Sequence, residues 1–216
     1  MTHVAPLARD SVAGLAPIFD AAEQAVGFVP NSFLTMAHMP QLPVALMMLV
    51  NTIFGSDLKS VMANMADVVE DFDPDAPVID QELIRLIAFA ASVSAGCRYC
   101  QANTSHQAHG LGVAEEKYAQ ILEFETNPVF SVAERAVVAL AFAAAAVPNE
   151  ASAEHFAALR EHFSERQIVQ IVAVISLFGF LNRWNDTMAT QLEQPAVDFA
   201  SEALGGVNWQ LGKHGP

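Results

Sequence analysis

Three features of the sequence predict an all-α fold. No segment of five or more residues alternates cleanly between apolar and polar side chains, apolar positions recur at helical spacing, and helix-start signatures stand before the apolar runs. Taken in chain order, an N-terminal helical region is expected over about residues 1–70. A loop follows over about 67–82, where Asp67, Glu70, Asp71, Asp73, Asp75 and Asp80 are interrupted by Pro74 and Pro77; that charge and turn chemistry suits a solvated connection. Asp80 then reads as the N-cap of a helix carrying Leu83, Ile84, Leu86, Ile87 and Ala90 on its buried side. Gly96 lets the chain turn into a second helix that bears the cysteines, with Gly110 and Gly112 as its stop. Ser131 with Glu134, and Ser164 with Gln167, have capping-box spacing ahead of apolar runs. Pro148 closes the Ala-rich run that begins at Ala136.

Length and composition narrow the class. With 216 residues, 53% of them hydrophobic and 11 each of Gly and Pro, the chain fills one domain with a real core, and disorder or low complexity is excluded. The expected domain spans residues 1–216, with its functional core over about 80–200. A formal charge of -14, from 10 basic and 24 acidic residues, repels phosphate backbones and anionic membranes, so neither nucleic acid nor membrane is an expected partner. The apolar stretches Ala136 to Val147 and Ile168 to Leu181 fall short of the roughly 18 residues a bilayer span needs. The opening MTHVAPLARD shows no secretory pattern, which makes a cytoplasmic location the expectation.

An internal echo organises the core. QELIRLIAFAASVSAGCRYC, ending at Cys100, overlays QIVQIVAVISLFGFLNRWN, ending at Asn185, at a spacing of 85 residues. Leu86 meets Ile171, Arg98 meets Arg183, Tyr99 meets Trp184, and CRYC becomes NRWN. The pattern is that of a duplicated helical unit in which the first copy carries the thiols. Trp184, Asn185 and Asp186 read as structural residues, with a second pocket as the alternative, and Met36, Met39, Met47 and Met48 as core, with an apolar pocket or subunit interface as the alternative.

The chemistry centres on Cys97 and Cys100, the only cysteines. A pair at this spacing at a helix start brings two sulfurs within disulfide reach, and the helix N-terminus favours the thiolate. The same spacing serves zinc sites, but that reading needs two more ligands. His106 and His109 are the nearby candidates, and they lie too close in sequence for a finger. No metal or cofactor is expected.

The segment ELIRLIAFAASVSAGCRYCQANTSHQAHGLGVAEE resembles the signature region of the carboxymuconolactone decarboxylase family, in its AhpD-like, alkylhydroperoxidase-related branch. GFVPNSFLTMAHMP, from Gly27 to Pro40, resembles the segment of the peroxidase-related members, and FSVAERAVVALAF and NRWND extend the likeness to about Glu193. The resemblance implies an AhpD-like helical bundle that assembles as a homo-oligomer, a dimer, trimer or hexamer. It implies a peroxidase cycle in which Cys100 attacks a hydroperoxide, Cys97 resolves the sulfenic acid, and a dithiol or lipoyl-type partner reduces the disulfide.

The departures from that pattern are specific. The family places a histidine four residues after the second cysteine and a glutamate twelve before the first; here these are Thr104 and Arg85. Neither titrates as a base near neutral pH. At about 100° per residue, Thr104 projects within roughly 40° of Cys100, whereas His106 and His109 lie about 120° and 180° away. Glu82, three residues before Arg85, is a candidate displaced carboxylate, and Arg85 a candidate for stabilising thiolate charge. The expected activity is a thiol-dependent peroxidase or disulfide reductase with Cys97, Cys100, Glu82, Arg85 and Thr104 at its site. The alternatives are a lactone decarboxylase and a redox-responsive helical assembly protein.

Overall fold

The computed structural model describes residues 3–215 except 58, 60, 64–67, 69–72 and 74. Among the described residues there is no strand, as the absence of period-two patterning predicts. The chain divides into two compact units, Met1–Val78 with Glu165–Gln170, and Ile79–Ser164 with Ile171–Pro216. The boundary falls within the acidic connection, of which Asp67, Glu70, Asp71 and Pro74 lie outside the described residues.

In the first unit a 3-10 segment, Arg9–Leu15, leads into α1 (Ala16–Val26), α2 (Asn31–Met36) and α3 (Gln41–Ile53). Leu15, Ile18, Phe19, Phe33 and Val44 form its core, with Met36, Met47 and Met48 packed against it. Those three methionines are therefore core residues. Arg166 belongs to the same unit, donating from Nε to the Pro77 carbonyl at 3.1 Å and from Nη1 to that of His38 at 3.2 Å.

The second unit carries the thiols. It contains α4 (Gln81–Ala95), α5 (Arg98–Gly110), α6 (Glu115–Ala119), α7 (Val132–Ala145), α8 (Ala153–Arg160) and α10 (Gln194–Ala203). It also holds all but the first turns of α9 (Glu165–Met188). Two of the N-cap signals act as read: Asp80 Oδ1 accepts from the Leu83 amide at 2.6 Å. Ser131 and Glu134 exchange both bonds of a capping box. α7 stops at Ala145, just before the Val147–Pro148 bond, which is cis. α4 packs most extensively on α5 and α7. Leu86, Ile87, Phe89, Ile121, Val137, Leu140 and Ile171 are buried in that layer, and Phe89 meets Tyr118 edge-on with ring centroids 4.9 Å apart.

α9 departs from the expected length. The apolar stretch ending at Leu181 continues as one 24-residue helix to Met188, long and apolar enough by length and composition to cross a membrane. Its buried side is tied into the second unit by polar contacts: Asn182 Oδ1 accepts from the Ser92 hydroxyl at 3.0 Å. Leu177, Phe180, Trp184 and Met188 remain exposed along it. The two copies of the echo thus fold differently. Gly96, at φ +76°, ends α4 and breaks the first copy into two helices, whereas the second copy stays continuous through Arg183.

Candidate active site

The sulfurs are positioned by the turn between α4 and α5. Gly96 adopts the left-handed conformation that lets α4 close its last turn, and the Cys97 amide donates back to the Ser92 carbonyl at 3.1 Å. Cys97 then occupies the N-cap of α5 and Cys100 its first turn. Both are free thiols, 1% and 3% exposed. Beneath them the buried Gln101 donates from Nε2 to the Ser92 carbonyl at 3.1 Å and accepts from Arg98 at 3.2 Å, fixing the turn from below.

The two thiols act on one another electrostatically. The Cys100 thiol donates to Cys97, and the first-turn amides of Cys100 and Tyr99 add to this, so Cys97 is lowered from the ordinary thiol range despite its burial. The same hydrogen bond, together with burial, pushes Cys100 up. One negative charge is favoured and a second is opposed, with the first centred on Cys97. Asn185 Nδ2 donates to the Cys100 sulfur at 3.5 Å, and its position on α9 is the echo of Cys100 itself.

The C-terminal segment completes the surroundings. Trp209 Nε1 donates to the Arg98 carbonyl at 2.9 Å. Glu193 accepts from the Tyr99 hydroxyl at 3.0 Å and from Asn103 at 3.2 Å. His214 is 1% exposed, and its ring lies 5.8 Å from that of Tyr99. Its Nδ1 is 2.8 Å from the Thr190 carbonyl, and its Nε2 is 3.6 Å from Asp186 Oδ1. The Cys97 sulfur, an Asp186 carboxylate oxygen and a His214 ring nitrogen all lie within 4.8 Å of one another.

The structure brings together some of the residues expected at the site and separates others. Cys97 and Cys100 meet. Thr104 is buried beside them, but its hydroxyl donates to the Cys100 and Gln101 carbonyls of its own helix at 2.7 and 3.3 Å. Glu82, exposed in the first turn of α4, and the half-buried Arg85 both act electrostatically on Tyr118. His106 and His109 pack on Phe199, with centroids 5.9 and 4.9 Å away, and His109 Nδ1 pairs with Glu115 at 2.9 Å. The sequence reading missed His214 and took Asn185 and Asp186 for structural residues. The echo was the signal for Asn185, since it pairs that residue with Cys100. Nothing in the local sequence around Lys213 and His214 marks a site. Two concavities of about 250 and 310 Å³ lie in the first unit, lined by Ser11, Leu15 and Pro40 and by Pro17, Met47 and Asn51 respectively; no residue of the thiol site lines either.

The chain belongs to the carboxymuconolactone decarboxylase family. The family profile matches residues 61–143, which include α4, α5 and both cysteines. The debrominase Bmp8 is 34% identical, with 94% of this chain and 98% of that one covered. The TM-score is 0.56 for a cysteine-to-alanine variant in complex with 2,3,4-tribromopyrrole and 0.55 for the apo form. A protein of unknown function from Agrobacterium tumefaciens, described as a putative antioxidant defence protein AhpD, is 26% identical. It covers 53% of this chain and 80% of its own, with a TM-score of 0.51. An uncharacterized peroxidase-related protein with an alkylhydroperoxidase AhpD core, from Ralstonia eutropha, shares the fold at 22% identity and a TM-score of 0.51, covering 93% and 91%. No curated protein matches the sequence. The described residues thus form an AhpD-like helical fold.

Proposed function

We propose that this chain is a dithiol-dependent reductase in which Cys97 and Cys100 together supply two electrons and end as a disulfide, with a hydroperoxide as substrate. The observation that carries this is the pair of buried free thiols at the start of α5, Cys97 at the N-cap and Cys100 in the first turn. The thiolate attacks the terminal peroxide oxygen, the O–O bond breaks, and the leaving alkoxide takes a proton to give an alcohol. The sulfenic acid so formed is attacked by the second thiol, which releases water and closes the disulfide. An external dithiol of lipoyl type restores the pair by exchange. Sulfurs only 1% and 3% exposed favour a small oxidant. The family pattern gives the first strike to Cys100; here Cys97 stands at the N-cap of α5 and is the sulfur clustered with Asp186 and a His214 ring nitrogen, and we assign the first strike to Cys97.

A second substrate reading rests on the likeness to the debrominase Bmp8 over 94% of the chain. The same two electrons convert a carbon–bromine bond of a halogenated heteroaromatic into carbon–hydrogen. The thiolate takes the bromine, the ring carbon takes a proton, and the second thiol displaces bromide as the disulfide forms. Wild-type protein with excess dithiol is offered hydrogen peroxide, cumene hydroperoxide or a bromopyrrole, and peroxide loss and free bromide are measured. Catalytic peroxide loss supports the first reading, and stoichiometric bromide release the second. Neither, with both thiols still free, overturns the dithiol reductase.

A further inference from the structure

We propose that His214, delivered by the C-terminal segment, is the proton acceptor for Cys97 and that Asp186 positions and stabilises it, in place of the relay that Thr104 and Arg85 cannot form. This rests on the dithiol reading above and names the acid–base group it uses. The argument begins with the imidazole. Its Nδ1 faces the Thr190 carbonyl at 2.8 Å, and a carbonyl only accepts, so Nδ1 carries the hydrogen. In the neutral ring Nε2 then holds the lone pair. That nitrogen is buried and makes no hydrogen bond among the described residues, and such a group is costly unless something reaches it. Nε2 is 3.6 Å from Asp186 Oδ1, and a ring nitrogen of His214, the Cys97 sulfur and an Asp186 carboxylate oxygen all lie within 4.8 Å of one another, which is proton-transfer reach after a small approach or through one water.

The segment that carries His214 is fastened at several points. The Leu192 amide donates to the His214 carbonyl at 2.9 Å, and Lys213 holds the second Asp186 oxygen at 2.8 Å. Among the described residues, the ionisable groups placed against the imidazole are Cys97 at the start of α5, Asp186 on α9 and Tyr99 with its hydroxyl on Glu193; Cys100 lies one turn beyond Cys97, and Lys213 pairs with Asp186. Their signs give the cluster its logic. A carboxylate beside a thiol opposes its ionisation, and Asp186 does so for Cys97. Once the Cys97 proton moves to Nε2, the imidazolium lies between thiolate and carboxylate and is attracted by both. The proton held there then passes to the leaving oxygen, so the S–H proton ends on the alcohol and none is created or lost.

The test reads thiol reactivity and needs no substrate. Iodoacetamide is added across pH 6 to 9, and digestion after Arg98 separates the two sulfurs: Cys97 falls in the peptide 86–98 and Cys100 in 99–117. His214→Gln is expected to slow Cys97 alkylation at pH 7 by about 10-fold to 100-fold and to move its midpoint upward. Asp186→Asn makes the decisive comparison. It is expected to slow alkylation when His214 is present and to speed it in the His214→Gln background, a reversal that loss of packing does not produce. Equal slowing in both backgrounds, or an unchanged profile in His214→Gln with a native circular dichroism spectrum, overturns the proposal. So does stoichiometric zinc in purified protein whose removal alone restores Cys97 alkylation. Should wild-type protein fail to form a disulfide with any oxidant while the reversal holds, the reductase reading falls and the proton acceptor stands. Disulfide formation without the reversal has the opposite meaning.

Discussion

Asn185 donates its side-chain amide to the sulfur of Cys100 at 3.5 Å, across 85 residues of chain. That separation is the period of the internal echo, so the second copy of the helical unit places the counterpart of Cys100 against Cys100 itself. An amide hydrogen aimed at sulfur favours the anion over the thiol, and it does so for Cys100. Asn182, three residues earlier on α9, accepts from Ser92 on α4. The copy without thiols therefore supplies polar contacts that hold the copy with them.

Asn185→Leu keeps the volume and removes the donor. Total thiol alkylation at pH 7 is expected to fall about fivefold, equivalent to about 1 kcal/mol less stabilisation of the pair's negative charge. Alkylation kinetics with the two cysteine peptides resolved checks this. An unchanged rate means that the contact contributes nothing to reactivity.

The two single-cysteine variants separate the order of attack. Cys100→Ser retains Cys97 and is expected to consume one equivalent of peroxide, with the 86–98 peptide gaining one oxygen. Cys97→Ser is expected to lose peroxide consumption by about 100-fold or more, since a buried Cys100 without its partner has no proton acceptor at hand. The reverse pattern assigns the first strike to Cys100, as the family pattern has it.

Stability at acid pH is set in part at the start of α7. Burial raises Glu134, but the Lys117 hydrogen bond at 2.5 Å and the Ser131 amide and hydroxyl outweigh it and hold the carboxyl below its usual range. A group lowered in the folded state contributes stability above its unfolded pKa and loses it as pH falls through the folded value. Glu134→Gln is therefore expected to cost about 1 kcal/mol at pH 7, with the difference from wild type vanishing near pH 3. Urea midpoints at the two pH values measure it; a constant difference contradicts the assignment.

Ser131→Ala removes the other half of the capping box without changing any charge. A loss of about 1 kcal/mol is expected at neutral pH, most of it persisting near pH 3 where Glu134 is protonated, visible as a lower Tm in a thermal scan. A loss confined to neutral pH contradicts a role in capping.

Local signals in the sequence were faithful wherever local chemistry decides the outcome. Asp80 and Ser131 cap the helices they were read to cap, because an N-cap needs only its own next turn. Gly96 ends α4, because the closing turn requires a positive φ. The reach of α9 was harder to read: its apolar run ends at Leu181, and Asn182, Arg183, Asn185 and Asp186 look like a stop until Ser92 and Cys100 take up the asparagines. Helical arithmetic placed Thr104 correctly beside Cys100, but it could not show that the hydroxyl bonds the carbonyl of Cys100 rather than its sulfur. His214 was out of reach altogether. Its approach depends on a chain reversal fixed by the Leu192 amide, the Thr190 carbonyl and the Trp209 indole, none of which leaves a spacing pattern.

The most direct test of a cycling dithiol is the mass of the intact reduced protein before and after one equivalent of hydroperoxide. The expected result is a loss of two hydrogens, with peptides 86–98 and 99–117 joined through Cys97 and Cys100. A gain of oxygen on either sulfur without a link between them, or no change in mass, contradicts it.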